Sequence, residues 1–119
     1  MCGIAGIFSW QYLTRNPQPL LQAMVNQLRH RGPDQSGLYL DDDIGIGQSR
    51  LSIIDLYGGS QPISNEDGTV WLVCNGEIFN YVELRRRLRQ LGHHFVTRCD
   101  VEVLLHLYEE FGAEMLKML

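Results

Sequence analysis

GLYLDDDIGIGQSRLSIIDL, residues 37–56, decides the fold class. Residues 37–40 and 44–48 read as strands joined across Asp41-Asp42-Asp43, and 51–56 as a third, because short apolar runs bounded by turn residues are the signature of strands. Working outward, Asn65-Glu66-Asp67-Gly68 is a turn signal ending in the hairpin pair Asp-Gly, and the β-branched, aromatic run 69–74 follows as a strand. Upstream, residues 3–8 are small, apolar and uncharged, as in a short buried strand. Helical spacing takes over elsewhere. Leu20, Leu21, Met24, Val25 and Leu28 predict an amphipathic helix over 19–29 with proline in its first turn, stopped by Arg31-Gly32-Pro33-Asp34. Asn80 with Glu83 forms a capping-box pattern ahead of Val82, Leu84, Leu88 and Leu91, closed by Gly92. Residues 95–97 read as a short strand. Asp100 then opens a helix whose stripe is Val103, Leu104, Leu107, Tyr108 and Phe111, with Gly112 as its stop. Sequential strands among helices predict an α+β fold, an antiparallel sheet with helices packed on it.

The chain has 119 residues, of which 45% are hydrophobic and 20% charged, the composition of one globular domain. At that length roughly two-thirds of the unfolded surface can be buried, enough for one core. The net charge of −4 argues against a general binder of nucleic acid or anionic membrane, and no run approaches the ~20 apolar residues of a membrane helix. The arginine run Arg85, Arg86, Arg87 and Arg89 therefore reads as a solvated helix surface. Gly3 and Gly6 interrupt the apolar start, so the expected location is cytoplasmic. The apolar end Met115-Leu116-Lys117-Met118-Leu119 is expected to be the front part of a longer chain, since a terminus is ordinarily polar and frayed. Cys2, Cys74 and Cys99 are too sparse for a disulfide scaffold. No Cys/His grouping has zinc spacing, and the adjacent His93 and His94 would diverge on a strand, so no metal site is expected. Asp41-Asp42-Asp43 lacks the glycine and distal glutamate of a calcium loop.

Cys2 is the sharpest chemical clue. Removal of Met1 would place a thiol and a free α-amine on one residue, ordinarily titrating near ~8.5 and ~8 and so matched for proton exchange. That pairing makes a self-contained nucleophile and base. Asn75-Gly76, after a strand, offers a side-chain amide beside a backbone N–H, a donor pair suited to an oxyanion and also found in ordinary turns. Arg50 could fork onto a carboxylate, and Glu77 and Asp100 are candidate acids for an ammonium group, with an N-cap the simpler role for Asp100. Trp71 is expected in the core, Trp10 has no assigned place, and Cys74 and Cys99 read as ordinary buried thiols.

Taken in order, Met1-Cys2-Gly3-Ile4-Ala5-Gly6, Arg29-His30-Arg31-Gly32-Pro33-Asp34, Arg50-Leu51-Ser52-Ile53-Ile54-Asp55, Gln61-Pro62, Asn75-Gly76-Glu77-Ile78-Phe79-Asn80-Tyr81, and Asp100 with Glu102 and Val103 resemble the amino-terminal glutaminase domain of glutamine-dependent asparagine synthetases. These are class II glutamine amidotransferases of the N-terminal-nucleophile hydrolase superfamily. The resemblance implies a four-layer αββα sandwich, incomplete here at its C-terminal side, with residues 1–119 as the first portion of the domain. It implies that Cys2 attacks the side-chain amide of L-glutamine, that Asn75 and Gly76 form the oxyanion hole, that Arg50 holds the α-carboxylate, and that Glu77 and Asp100 hold the α-ammonium. It implies no cofactor in this segment. ATP and magnesium would act in a C-terminal synthetase domain that amidates aspartate, and the full-length form would be a homodimer. Alternatives left open are a related class II amidotransferase acting on another acceptor, and an inactive fragment or interaction module. Three positions depart from the family's usual residues: Gln48 stands for histidine, Cys99 for serine or threonine, and Val101 for threonine or cysteine.

Overall fold

A computed structural model describes residues 2–9, 16–52 and 58–119. Trp10 and most of the expected strand 51–56 lie outside the described residues. The elements are β1 (Gly3–Phe8), α1 (Gln18–Gln27), β2 (Gln35–Leu40), β3 (Ile44–Arg50), β4 (Ile63–Ser64), β5 (Trp71–Leu72), α2 (Tyr81–Gln90) and α3 (Val103–Phe111). Short 3₁₀ helices over Asp100–Glu102 and Gly112–Lys117 flank α3. The α+β expectation holds, with the strands in two antiparallel sheets, one ordered β1-β3-β2 and a two-stranded β4-β5 hairpin.

β3 is the central strand. Gly3 pairs with Ser49 and Phe8 with Ile44 on one side, and Gln35 pairs with Arg50 and Leu40 with Gly45 on the other. This register carries the start of β1 and the end of β3 to the same end of the sheet. The helix α1 lies on one face through its buried Leu21 and Val25. Gly47 makes that approach possible: a Cβ there would stand 2.7 Å from both Val25 Cγ2 and Leu38 Cδ2. On the opposite face Ile4, Phe8 and Ile44 are exposed.

The second half packs around α3. Leu104 and Leu105 join Ile63, Cys99 and Val101 beneath the hairpin, while Val103 and Leu107 join Leu84 and Leu88 of α2. The buried stripes differ from those the spacing predicts. Leu20, Val82, Leu91 and Tyr108 are exposed, whereas Leu105 and His106 are buried. The reason is that α3 is covered from two sides, so nearly a full turn of it faces protein, while α1 and α2 are covered on one narrow side. Trp71 is on the surface rather than in the core, stacked on Tyr39 with ring centroids 4.1 Å apart. Met115 and Met118 pack against the α2–α3 cluster, so the apolar end of the chain is partly used.

Three local expectations fail for identifiable reasons. Residues 95–97 form no strand, because the carboxylate of Glu102 takes their amides: it accepts from Val96 N–H (2.7 Å), Thr97 N–H (2.9 Å) and the Thr97 hydroxyl (2.6 Å). Asn80 precedes α2, but its side chain makes no cap and donates instead to the Met118 carbonyl at 2.8 Å. Arg85 is not a solvated arginine. It donates to the carbonyls of Thr97 (2.8 Å) and Cys99 (2.6 Å), faces Glu102 at 3.7 Å and lies over the Phe95 ring. Arg86, Arg87 and Arg89 are exposed as expected.

Candidate active site

Five separate segments build one cavity of about 340 Å³. Its walls include Cys2, Arg50, Asn75, Gly76, Glu77 and Asp100, so every candidate named from the sequence lies on it. Its volume is at the small end of the ~300–1,000 Å³ typical of small-molecule pockets.

Cys2 sits just ahead of β1, half-buried, at the sheet end where β3 finishes. Its sulfur accepts the Leu51 N–H at 3.3 Å and lies 3.6 Å from the Leu51 carbonyl. Arg31 Nε donates to the Cys2 carbonyl at 3.0 Å, tying the residue to the turn after α1. Arg50 is the last residue of β3 and is buried. Its Nη1 donates to Gln35 Oε1 at 2.9 Å. Gly59 explains how the guanidinium is seated: a Cβ at that position would stand 2.5 Å from Arg50 Nη2.

Asn75, Gly76 and Glu77 leave the end of the hairpin and are exposed along the cavity. The peptide groups of the preceding residue are held from both sides. Cys74 N–H donates to Gln61 Oε1 at 2.6 Å, and Gln48 Nε2 donates to the Cys74 carbonyl at 2.7 Å. Two glutamines thus fix the entry into Asn75-Gly76. Asp100, at the head of the 3₁₀ helix, is buried, and its Oδ2 accepts the Ile78 N–H at 2.7 Å. It therefore holds the loop beyond Glu77 and is not a helix cap.

Burial pushes the Cys74 and Cys99 thiols above the ordinary cysteine value, with the nearby Asp100 charge acting in the same direction. Both line the cavity, and the upward shift favours the neutral thiol over the nucleophilic thiolate. The arrangement offers the half-buried Cys2 sulfur, a cation deep on one side, a buried carboxylate on another, and an amide-bearing loop between. It is suited to an amino acid with a carbonyl presented to the sulfur. Sequence reading did not assign roles to Gln48, Gln61 and Arg31. Two of them stand inside matched motifs, but what each bonds depends on segments far along the chain.

Among the described residues no helix is long and apolar enough to cross a membrane. The combination of an antiparallel α+β scaffold with a second-residue cysteine in an amino-acid-sized cavity defines a class, and the chain belongs to the glutamine amidotransferase domain family, which it matches over residues 1–119. Among particular proteins, it is 45% identical over 116 residues to "Asparagine synthetase [glutamine-hydrolyzing] 1" of Bacillus subtilis (strain 168), a match covering 96% of this chain and 18% of that protein. It is 43% identical over its whole length to the asparagine synthetases [glutamine-hydrolyzing] of Arabidopsis thaliana (number 1) and Zea mays, covering 20% of each. The chain thus spans about a fifth of the length of these curated relatives.

Proposed function

We propose that these residues are the glutaminase portion of a glutamine-hydrolysing asparagine synthetase. The observation that carries this reading is the convergence of Cys2, Arg50, Asn75, Gly76, Glu77 and Asp100 on one cavity, from positions spread along nearly the whole chain. The relatives' names describe the same activity.

In this reading Met1 is removed and L-glutamine enters the cavity. The Arg50 guanidinium binds its α-carboxylate, and Glu77 and Asp100 bind its α-ammonium. The Cys2 sulfur attacks the side-chain amide carbon while the Cys2 α-amine takes the thiol proton. The tetrahedral oxyanion is stabilised by the Asn75 side-chain amide and the Gly76 N–H. The α-amine then returns the proton to the departing nitrogen, the C–N bond breaks, and ammonia leaves a thioester. Water attacks the thioester and releases glutamate, restoring the thiol. The cavity's donor set, one arginine and two acids around a sulfur, fits an amino acid and not a nucleoside triphosphate. As the resemblance to glutamine-dependent asparagine synthetases implies, ATP, magnesium and aspartate would act in a synthetase domain outside these residues. The exposed apolar side chains Ile4, Phe8 and Ile44 on the uncovered sheet face support the αββα sandwich, in which a second sheet covers that face. A cytoplasmic location and a full-length homodimer complete the proposal.

In the full-length protein, Arg50→Ala and Asp100→Asn are expected to raise the glutamine requirement while leaving asparagine formation from added ammonia near wild type. Asn at position 100 keeps an acceptor for the Ile78 N–H, so the test separates ligand contact from loop support. Equal loss of both activities would overturn the assigned roles.

A further inference from the structure

Away from the cavity, Glu66, His93, His106 and Glu109 bring one ligand atom each to within 4.8 Å of one another. They come from the β4–β5 turn, the segment after α2, and α3. Histidine spacing along the chain gives no hint of this, because the ligands meet only through packing. His106 Nδ1 lies 2.9 Å from Glu109 Oε2 and 3.7 Å from Glu66 Oε2, and His93 Nδ1 lies 3.7 Å from Glu109 Oε2. A tetrahedral ion with ligands at ~2.0–2.2 Å needs them about 3.3–3.6 Å apart; the three pairs above lie near that range, and the widest separation in the set, up to 4.8 Å, must close by about 1 Å through side-chain rotation when the ion binds.

On three of the four residues the atom facing away from the centre is also held. His93 Nε2 pairs with Glu110 Oε1 at 2.9 Å, Glu109 Oε1 accepts from Asn65 Nδ2 at 2.8 Å, and Glu66 Oε1 accepts the His94 N–H at 2.9 Å. A carboxylate behind a ligating imidazole, and hydrogen bonds behind ligating carboxylates, are the usual outer support of a metal site. His106 is buried, and its Nε2 has no hydrogen-bond partner among the described residues, which leaves Nδ1 as its one engaged nitrogen. Two neutral imidazoles and two carboxylates would balance the charge of a divalent ion.

We propose that Glu66, His93, His106 and Glu109 form a structural site for a zinc-class divalent cation. Imidazole and carboxylate donors in a four-fold set suit zinc or cobalt better than magnesium or calcium, which take six or more oxygen ligands. The bound ion staples the hairpin turn to α3. The same hairpin leads into Asn75-Gly76, and α3 follows directly on Asp100, so the staple supports two walls of the cavity.

The test is titration of the purified, metal-stripped full chain with Co²⁺, followed by displacement with Zn²⁺, on wild type and on Glu66→Gln, His93→Gln and Glu110→Gln. The first two positions are partly exposed, which favours folding of the variants. The expected result is one Co²⁺ per chain at this site with the visible bands of four-coordinate cobalt, a raised unfolding temperature with Zn²⁺, at least tenfold weaker binding in Glu66→Gln and His93→Gln, and about 10-fold weaker binding in Glu110→Gln. Labelling of Cys2 by a glutamine analogue should persist in all three variants. Absence of Co²⁺ and Zn²⁺ binding, binding unchanged by the substitutions, or a thiolate–cobalt band lost with Cys2→Ser would each overturn the proposal. The first of these would make the cluster a histidine–glutamate ion-pair network.

Discussion

At the scale of single residues, burial sets two of the cavity's three sulfurs, Cys74 and Cys99, apart from an ordinary exposed thiol. The Cys74 and Cys99 thiols are raised by burial, so in the folded chain they remain neutral at pH values where an exposed thiol ionises. The stability this contributes is complete below the ordinary thiol value of ~8.5 and is lost as pH rises through the raised folded values. Denaturation midpoints between neutral and alkaline pH should therefore fall for wild type and fall less for Cys99→Ala; parallel profiles would contradict the assignment. Asn75→Ala should lower glutamine turnover by about 10²–10³ with little change in KM, because an oxyanion donor acts where charge develops. A change confined to KM would make Asn75 a binding residue. Cys2, Arg50, Asn75 and Asp100 could be singled out as candidates from their residue types and the motifs they stand in, and all four line the cavity. Gln48 and Gln61 could not be, because an amide that holds a distant peptide group has no local pattern.

At the scale of elements, the helices were legible to within about three residues, since apolar positions recur at helical spacing along each, although the faces they bury differ from the predicted stripes. The failures share a cause: a side chain took a backbone partner that local rules assign elsewhere. Glu102 is the main case. It satisfies the amides of Val96 and Thr97 and faces Arg85, all with its carboxylate almost wholly out of solvent. Glu102→Ala should cost about 3–5 kcal/mol, as expected when one partner of a buried charged network is removed. Chemical denaturation would measure this, with Arg86→Ala as the surface control. A cost no larger than that of the control would show that the network is not what orders residues 95–99.

At the scale of the whole molecule, one end of the β1-β3-β2 sheet and the far end of the β4-β5 hairpin meet to enclose the cavity, with α3 setting Asp100 between them. The sequence pattern carried the α+β class but not the division into two sheets, because 69–74 reads as one strand while only Trp71–Leu72 pairs, with Ile63–Ser64. Pairing partners of such short strands are set by the tertiary fold. The central claim is that Cys2, freed of Met1, is the nucleophile of a glutamine site. Peptide-mapped mass spectrometry after reaction with a glutamine-analogue electrophile tests it most directly. The account predicts a single adduct on Cys2, only in chains lacking Met1, and suppressed by L-glutamine. An adduct on Cys74 or Cys99 with Cys2 untouched, or equal labelling of chains that retain Met1, would contradict it.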